Sequence, residues 1–111
     1  MQTQNTKVKQ LKSSKTGRPV VNQFEIFKST KKVSTYIFQS YNTTIAKVIF
    51  KNYKTFIILD KNALNYSKTS SKYLYQFLQN FNLFNLRNTT NKKETILKAI
   101  KNKEIQTKNL N

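Results

Sequence analysis

The spacing of apolar residues changes once along this chain, and the change divides it. Residues 20–28 put Phe24 and Ile26 on one side of an extended backbone and Val21 and Phe27 on the other, which predicts a strand. Ser29 to Lys32 supplies its turn. Val33 to Ser40 then alternates Val33, Thr35, Ile37 and Gln39 with Ser34, Tyr36, Phe38 and Ser40, a second strand with bulk on both faces. Thr44 to Phe50 sets Ala46, Val48 and Phe50 against Ile45, Lys47 and Ile49. The link Lys51-Asn52-Tyr53-Lys54 is short and holds an Asn that tolerates positive φ, so it suits a tight hairpin into Thr55 to Leu59. Four strands with short links predict an antiparallel meander.

After Asp60 the period becomes 3.6. Leu74, Phe77, Leu78 and Phe81 fall on one helical face, with Thr69, Ser70 or Ser71 as candidate N-caps. Asn91 and Glu94 have capping-box spacing ahead of Ile96, Leu97 and Ile100, which predicts a second, short helix. Ile105, Thr107 and Leu110 allow a C-terminal strand. The fold class is therefore α+β, a four-stranded antiparallel meander followed by two short helices.

A length of 111 residues suits one domain. Residues 1–18 hold Lys7, Lys9, Lys12, Lys15 and Arg18, no acid and few apolar groups, so they read as a disordered basic arm. Thr16-Gly17-Arg18-Pro19 punctuates its end. The expected division is a flexible arm over 1–19 and one small domain over 20–111.

Charge changes the picture most. Lys plus Arg number 21 against 4 Asp plus Glu, a formal net charge of +17. A self-repelling surface of this kind suits a polyanionic partner, of which nucleic acid is the commonest. Codon bias competes as an explanation, because the chain is rich in Asn, Thr and Ile and poor in Gly, Pro and Ala. The scarcity of acids does not follow from that bias. Cysteine and histidine are absent, and Glu25, Asp60, Glu94 and Glu104 are scattered, which argues against acid–base chemistry, dedicated metal sites and disulfides. The single glycine rules out a Gly-rich phosphate loop. The longest apolar run is Phe56-Ile57-Ile58-Leu59, well short of the roughly 18 residues of a membrane span, so a soluble, intracellular, non-enzymatic protein without cofactor or small-molecule substrate is expected.

Two candidate binding features stand out. The run Tyr66 to Lys72 offers Ser67, Lys68, Thr69 and Lys72 at the start of the first helix, where free N–H groups and the helix dipole favour an anion. A plain cap with lysines in solvent explains the same residues. The second feature is aromatic: Tyr36 and Phe38 share a strand face, Phe50 and Phe56 flank the hairpin, and Lys47, Lys51 and Lys54 lie among them, as in sheets that stack unpaired bases. Core packing is the competing explanation.

Phe38-Gln39-Ser40-Tyr41-Asn42-Thr43-Thr44-Ile45-Ala46, Leu59-Asp60, Tyr66-Ser67-Lys68-Thr69-Ser70-Ser71-Lys72-Tyr73, Phe77-Leu78 and the closing Asn109-Leu110-Asn111 resemble a family of small uncharacterised bacteriophage and mobile-element proteins. The resemblance implies a phage origin, a compact α+β domain, and a place in the host cytoplasm or the virion, but no activity. Together these readings predict a basic protein that binds DNA or RNA through phosphates, with Lys7, Lys9, Lys12, Lys15 and Arg18 for reach and Lys47, Lys51, Lys54, Lys68 and Lys72 for docking. The alternative is a protein-interaction module, either a homodimer, a virion accessory part or an inhibitor of a host factor.

Overall fold

The computed structural model describes residues 5–111. Its elements are β1 (Asn5–Lys12), β2 (Pro19–Ser29), β3 (Val33–Ser40), β4 (Thr43–Lys51), β5 (Lys54–Asp60), α1 (Lys68–Gln79), α2 (Lys92–Lys101) and β6 (Gln106–Lys108). They form one six-stranded sheet in the order β1 to β6. The first five strands pair antiparallel, and β6 returns parallel to β5.

The four-stranded meander is thus corrected to a larger, mixed sheet, still in an α+β fold. The stretch expected as a disordered arm supplies β1, which pairs along β2 from Asn5 opposite Ser29 to Lys12 opposite Pro19. Residues 1–4 of that arm lie outside the described residues. Local composition gave no sign of this strand, because its stability comes from its partner: backbone pairing with β2, the buried Leu11, and a Lys9–Glu25 ion pair at 3.2 Å. Its lysines also suit an edge, where charge discourages further strands from adding. Gly17, read as the end of an arm, is instead the left-handed residue of the β1–β2 loop, with φ +71° and its N–H donated to Ser13 O.

Both helices cover the same side of the sheet. Phe38 stacks on Phe77 at 5.8 Å, and Tyr36 meets Phe81 edge-on at 5.0 Å. Ile45, Ala46, Val48, Ile57 and Leu59 pack there with Leu74 and Leu78 of α1, Ile96 and Ala99 of α2, and Ile105. Each large side chain so buried stabilises the fold by roughly 1.5–3 kcal/mol. A bulge in the β3–β4 pairing, where Phe38 opposes Ala46 but Gln39 opposes Thr44, leaves Ile45 as an extra residue and lets it join the core beside Ala46. By alternation the other face carries Phe24, Ile26, Ile37, Lys47, Ile49, Phe56 and Ile58, and none of these belongs to the core cluster.

Helix α1 starts one turn earlier than its apolar stripe implies. Its cap is Ser67, whose Oγ accepts from Ser70 N–H at 3.1 Å, in place of Thr69, Ser70 or Ser71. Asn91 caps α2 as expected: its Oδ1 accepts from Glu94 N–H at 3.1 Å, and its Nδ2 donates to Glu94 Oε2 at 3.2 Å. Eight non-glycine residues hold positive φ among the described residues, namely Asn22, Tyr41, Asn52, Tyr53, Asn82, Phe84, Asn85 and Lys103. Among the described residues no helix is long and apolar enough to cross a membrane.

Candidate nucleic-acid interface

Positive charge is almost unopposed on this surface. Of the 21 basic residues, two have a carboxylate within ion-pair distance among the described residues: Lys9 with Glu25, and Lys98 with Glu94 at 3.4 Å. The remaining cations gather in a few places fixed by the fold.

One hollow runs between β1 and α1. It is an open groove of about 620 Å³, lined by Lys9, Lys12 and Arg87 together with Ser13, Ser14, Gln76, Gln79 and Asn80. A second hollow of about 360 Å³ continues it through the shared Ser14, Gln76 and Gln79 to Lys72, Tyr75 and Lys92. No carboxylate lines either part. Gln76 Nε2 donates to Lys12 O at 2.6 Å and so ties the helix to the edge strand across the groove. Burial pushes the Tyr75 phenol above its ordinary pKa, so it remains a neutral donor at the groove wall.

The second cluster sits at the hairpin end of the sheet. The β2–β3 turn and the two-residue β4–β5 turn lie side by side, because Val33 pairs with Lys51. Lys31, Lys32, Lys51 and Lys54 surround an open basin of about 480 Å³ with Phe50 and Thr55, and Tyr53 stands at its rim, fully exposed.

The expected site residues therefore do not form one patch. Lys9, Lys12 and Lys72 share the groove, whereas Lys51 and Lys54 belong to the hairpin end. Lys47 lies mid-strand on the open sheet face, opposite Ile37 on β3 and Ile58 on β5. Lys15 and Arg18 are exposed in the β1–β2 loop, and Lys7 is exposed on β1 opposite Phe27. Arg87 and Lys92, absent from the sequence expectation, complete the groove; nothing in their local sequence marks them, since only the return of the chain after α1 brings them there.

At the start of α1, Ser67 is engaged as the cap, and Ser70 is buried with its Oγ 2.9 Å from Ser40 Oγ. These hydroxyls tie the helix to β3. Lys68, Thr69 and Lys72 remain exposed, and Lys72 Nζ lies 5.4 Å from the Tyr73 ring centre. The geometry here is that of a cap beside solvated lysines.

The expected aromatic platform also divides. Tyr36, Phe38 and Phe50 face the helices in a cluster with Phe27, Phe77 and Phe81, and only Phe56 turns to the open face. Alternation assigns residues to two faces; it does not tell which face the helices take.

Asp60, at the far end of β5, is a structural hub. Its Oδ2 accepts from Tyr66 O–H at 2.8 Å and Asn62 N–H at 3.1 Å, and its Oδ1 accepts from Leu110 N–H at 2.9 Å and Asn111 Nδ2 at 3.3 Å. Burial raises the carboxyl pKa, but the bonds from Leu110, Tyr66, Asn62 and Asn111 outweigh it and hold the pKa below the ordinary value. The same hydrogen bond, followed by burial and the carboxylate charge, pushes the Tyr66 phenol upward. Asn111 also clamps Thr44, accepting from its N–H at 2.8 Å and donating to its carbonyl at 3.0 Å. Asp60, Tyr66, Thr44 and Asn111 on one side, and Ser40 with Ser70 on the other, thus serve as connectors of the fold.

No curated protein and no solved structure matches the chain. A family model does match, over residues 6–98, which run from β1 into α2 and so include the edge strand. The chain belongs to that family, DUF8033, a family of unknown function.

Proposed function

We propose that this protein binds nucleic acid largely through phosphate contacts, without catalysis. The observation that carries the reading is the continuous groove between β1 and α1, where Lys12, Lys72, Arg87 and Lys92 stand among side-chain amides beside Lys9, the one groove cation paired with a carboxylate, that of Glu25. Ammonium and guanidinium groups neutralise phosphates, and the amides of Gln76, Gln79 and Asn80 add donors for phosphate or sugar oxygens. Contacts of this type position a strand but do not read bases, so little sequence preference follows. In the same proposal the protein is encoded by a phage or mobile element and acts in the host cytoplasm or is packaged in the virion, a setting supported by the motif resemblance.

Titrating labelled single- and double-stranded DNA and RNA at two salt concentrations tests the reading. If roughly six phosphates are neutralised, log K falls with log salt at a slope of about −5 on duplex DNA. Absence of binding at low salt ends it.

The open sheet face favours a second reading, an interaction module that docks a protein. Phe24, Ile26, Ile37, Ile49, Phe56 and Ile58 share that face, and both helices pack on the other side. Size exclusion with light scattering tests self-association: a monomer that binds no hydrophobic dye counts against this reading.

A further inference from the structure

A two-residue hairpin turn with both central residues at positive φ is normally built from Asn-Gly or Asp-Gly, because glycine alone takes the left-handed region without strain. The β4–β5 turn has Asn52 at φ 54° followed by Tyr53 at φ 62°. A bulky residue there is a backbone outlier, and its ring contributes nothing to packing that would offset the strain, since Tyr53 is fully exposed. Strain held at an exposed aromatic points to work done by the ring outside the fold.

The surroundings say what kind of work. Lys51 and Lys54 pair directly across the hairpin on either side of Tyr53, and Lys31 and Lys32 from the neighbouring turn line the same basin. No carboxylate lines it. Phe50, 37% exposed, forms part of its wall. A ring between cations matches a base flanked by phosphates: the base offers a π face to the tyrosine, and the phosphates on either side meet ammonium groups. A second copy of this chain fits poorly, because it would bring the same lysines against these.

We propose that the β4–β5 hairpin tip stacks an unpaired base on the Tyr53 ring while Lys31, Lys32, Lys51 and Lys54 hold the flanking phosphates, so that single-stranded nucleic acid is the preferred partner. The proposal rests on the nucleic-acid reading above and adds a base contact to it. Duplexes hide their base faces within the stack and gain only the lysine contacts.

The turn supplies its own test. Tyr53→Gly removes the ring and puts the residue that the backbone favours in its place, so folding is not at risk. The binding of a labelled oligo-dT and its RNA counterpart is expected to weaken by roughly 5- to 150-fold, the range for one stacked base. Duplex affinity and the salt slope should stay as in the unsubstituted chain, and the melting temperature should hold or rise. Tyr53→Phe, which keeps the ring, is expected to bind within about twofold of the original. Unchanged single-strand binding by Tyr53→Gly overturns the proposal, as does an equal loss on duplex and single strand. A chain that binds no nucleic acid before substitution overturns the wider reading as well, which separates the two failures.

Discussion

Strand β5 runs between two ends of the molecule that treat charge in opposite ways. At its C-terminal end a buried carboxylate, Asp60, meets four donors drawn from the loop after β5 and from the last two residues of the chain. At its N-terminal end four lysines and an exposed tyrosine share a basin without one carboxylate. The first arrangement satisfies every partner internally and holds the fold together. The second leaves its charges unsatisfied, and they are available to something else. Satisfied and unsatisfied charge are thus placed about one strand length apart, so each can be altered while the other is watched.

The sharpest break is Asp60→Asn. The amide replaces one acceptor oxygen by a donor, and that side of the group then faces two donors. A loss of about 3 kcal/mol is expected, from hydrogen bonds to a charged group worth roughly 1.5–3 kcal/mol each. For a domain of this size the melting temperature should fall by more than about 10 °C, with nucleic-acid affinity at low temperature retained. Calorimetry beside a binding titration checks both.

Acid gives the same contrast without mutation. Asp60 has a folded pKa below its ordinary value of 3.8, so its contribution is present above that value and lost as pH falls toward the folded pKa. Stability of the original chain should decline below about pH 4, and the decline should be shallower in Asp60→Asn. A urea series at several pH values reads the difference, and parallel profiles would mean that another carboxyl governs the acid response.

Tyr66→Phe removes one donor from the hub and keeps the ring. It is expected to cost about 1.5 kcal/mol, the low end of the range for one bond to a charged group, visible as a lower urea midpoint with an unchanged slope. Smallest of all is the effect on stability of replacing Lys31, Lys32, Lys51 and Lys54 together by Gln. Exposed, unpaired lysines contribute little, so the midpoint should shift by less than about 0.5 kcal/mol per residue and should rise at low salt as repulsion is relieved. The same variant should flatten the salt dependence of nucleic-acid binding. A large destabilisation would place those lysines in the fold and blur the distinction between the two ends.

Periodicity makes much of this architecture readable. Alternation marked the strands now numbered β2 to β5 within a residue or two, and the 3.6 period marked α1 and α2, because in those segments the residues that drive burial also set the pattern. Strand β1 escaped because Lys7, Lys9 and Lys12 look like a solvated tail until Glu25 and the β2 backbone are alongside. The cap of α1 was placed too late, since Ser67, Thr69, Ser70 and Ser71 have similar capping preferences. What selects Ser67 is the pull of Ser70 toward Ser40, thirty residues away. The candidate site was less legible still. Arg87 and Lys92 reach the groove only through the tertiary path of the chain, while Tyr53 did leave a local sign: an Asn followed by a residue other than glycine in a two-residue turn.

That sign recurs through the molecule. In a chain with one glycine, eight other described residues take a left-handed backbone conformation, four of them Asn and the others Tyr41, Tyr53, Phe84 and Lys103. Each of the latter holds strain on the order of 1 kcal/mol. The protein therefore runs below the stability its topology permits. Lys103→Gly, at an exposed position, would therefore raise stability, whereas Phe84→Gly would lower it, because that ring packs against the core and its burial outweighs the strain.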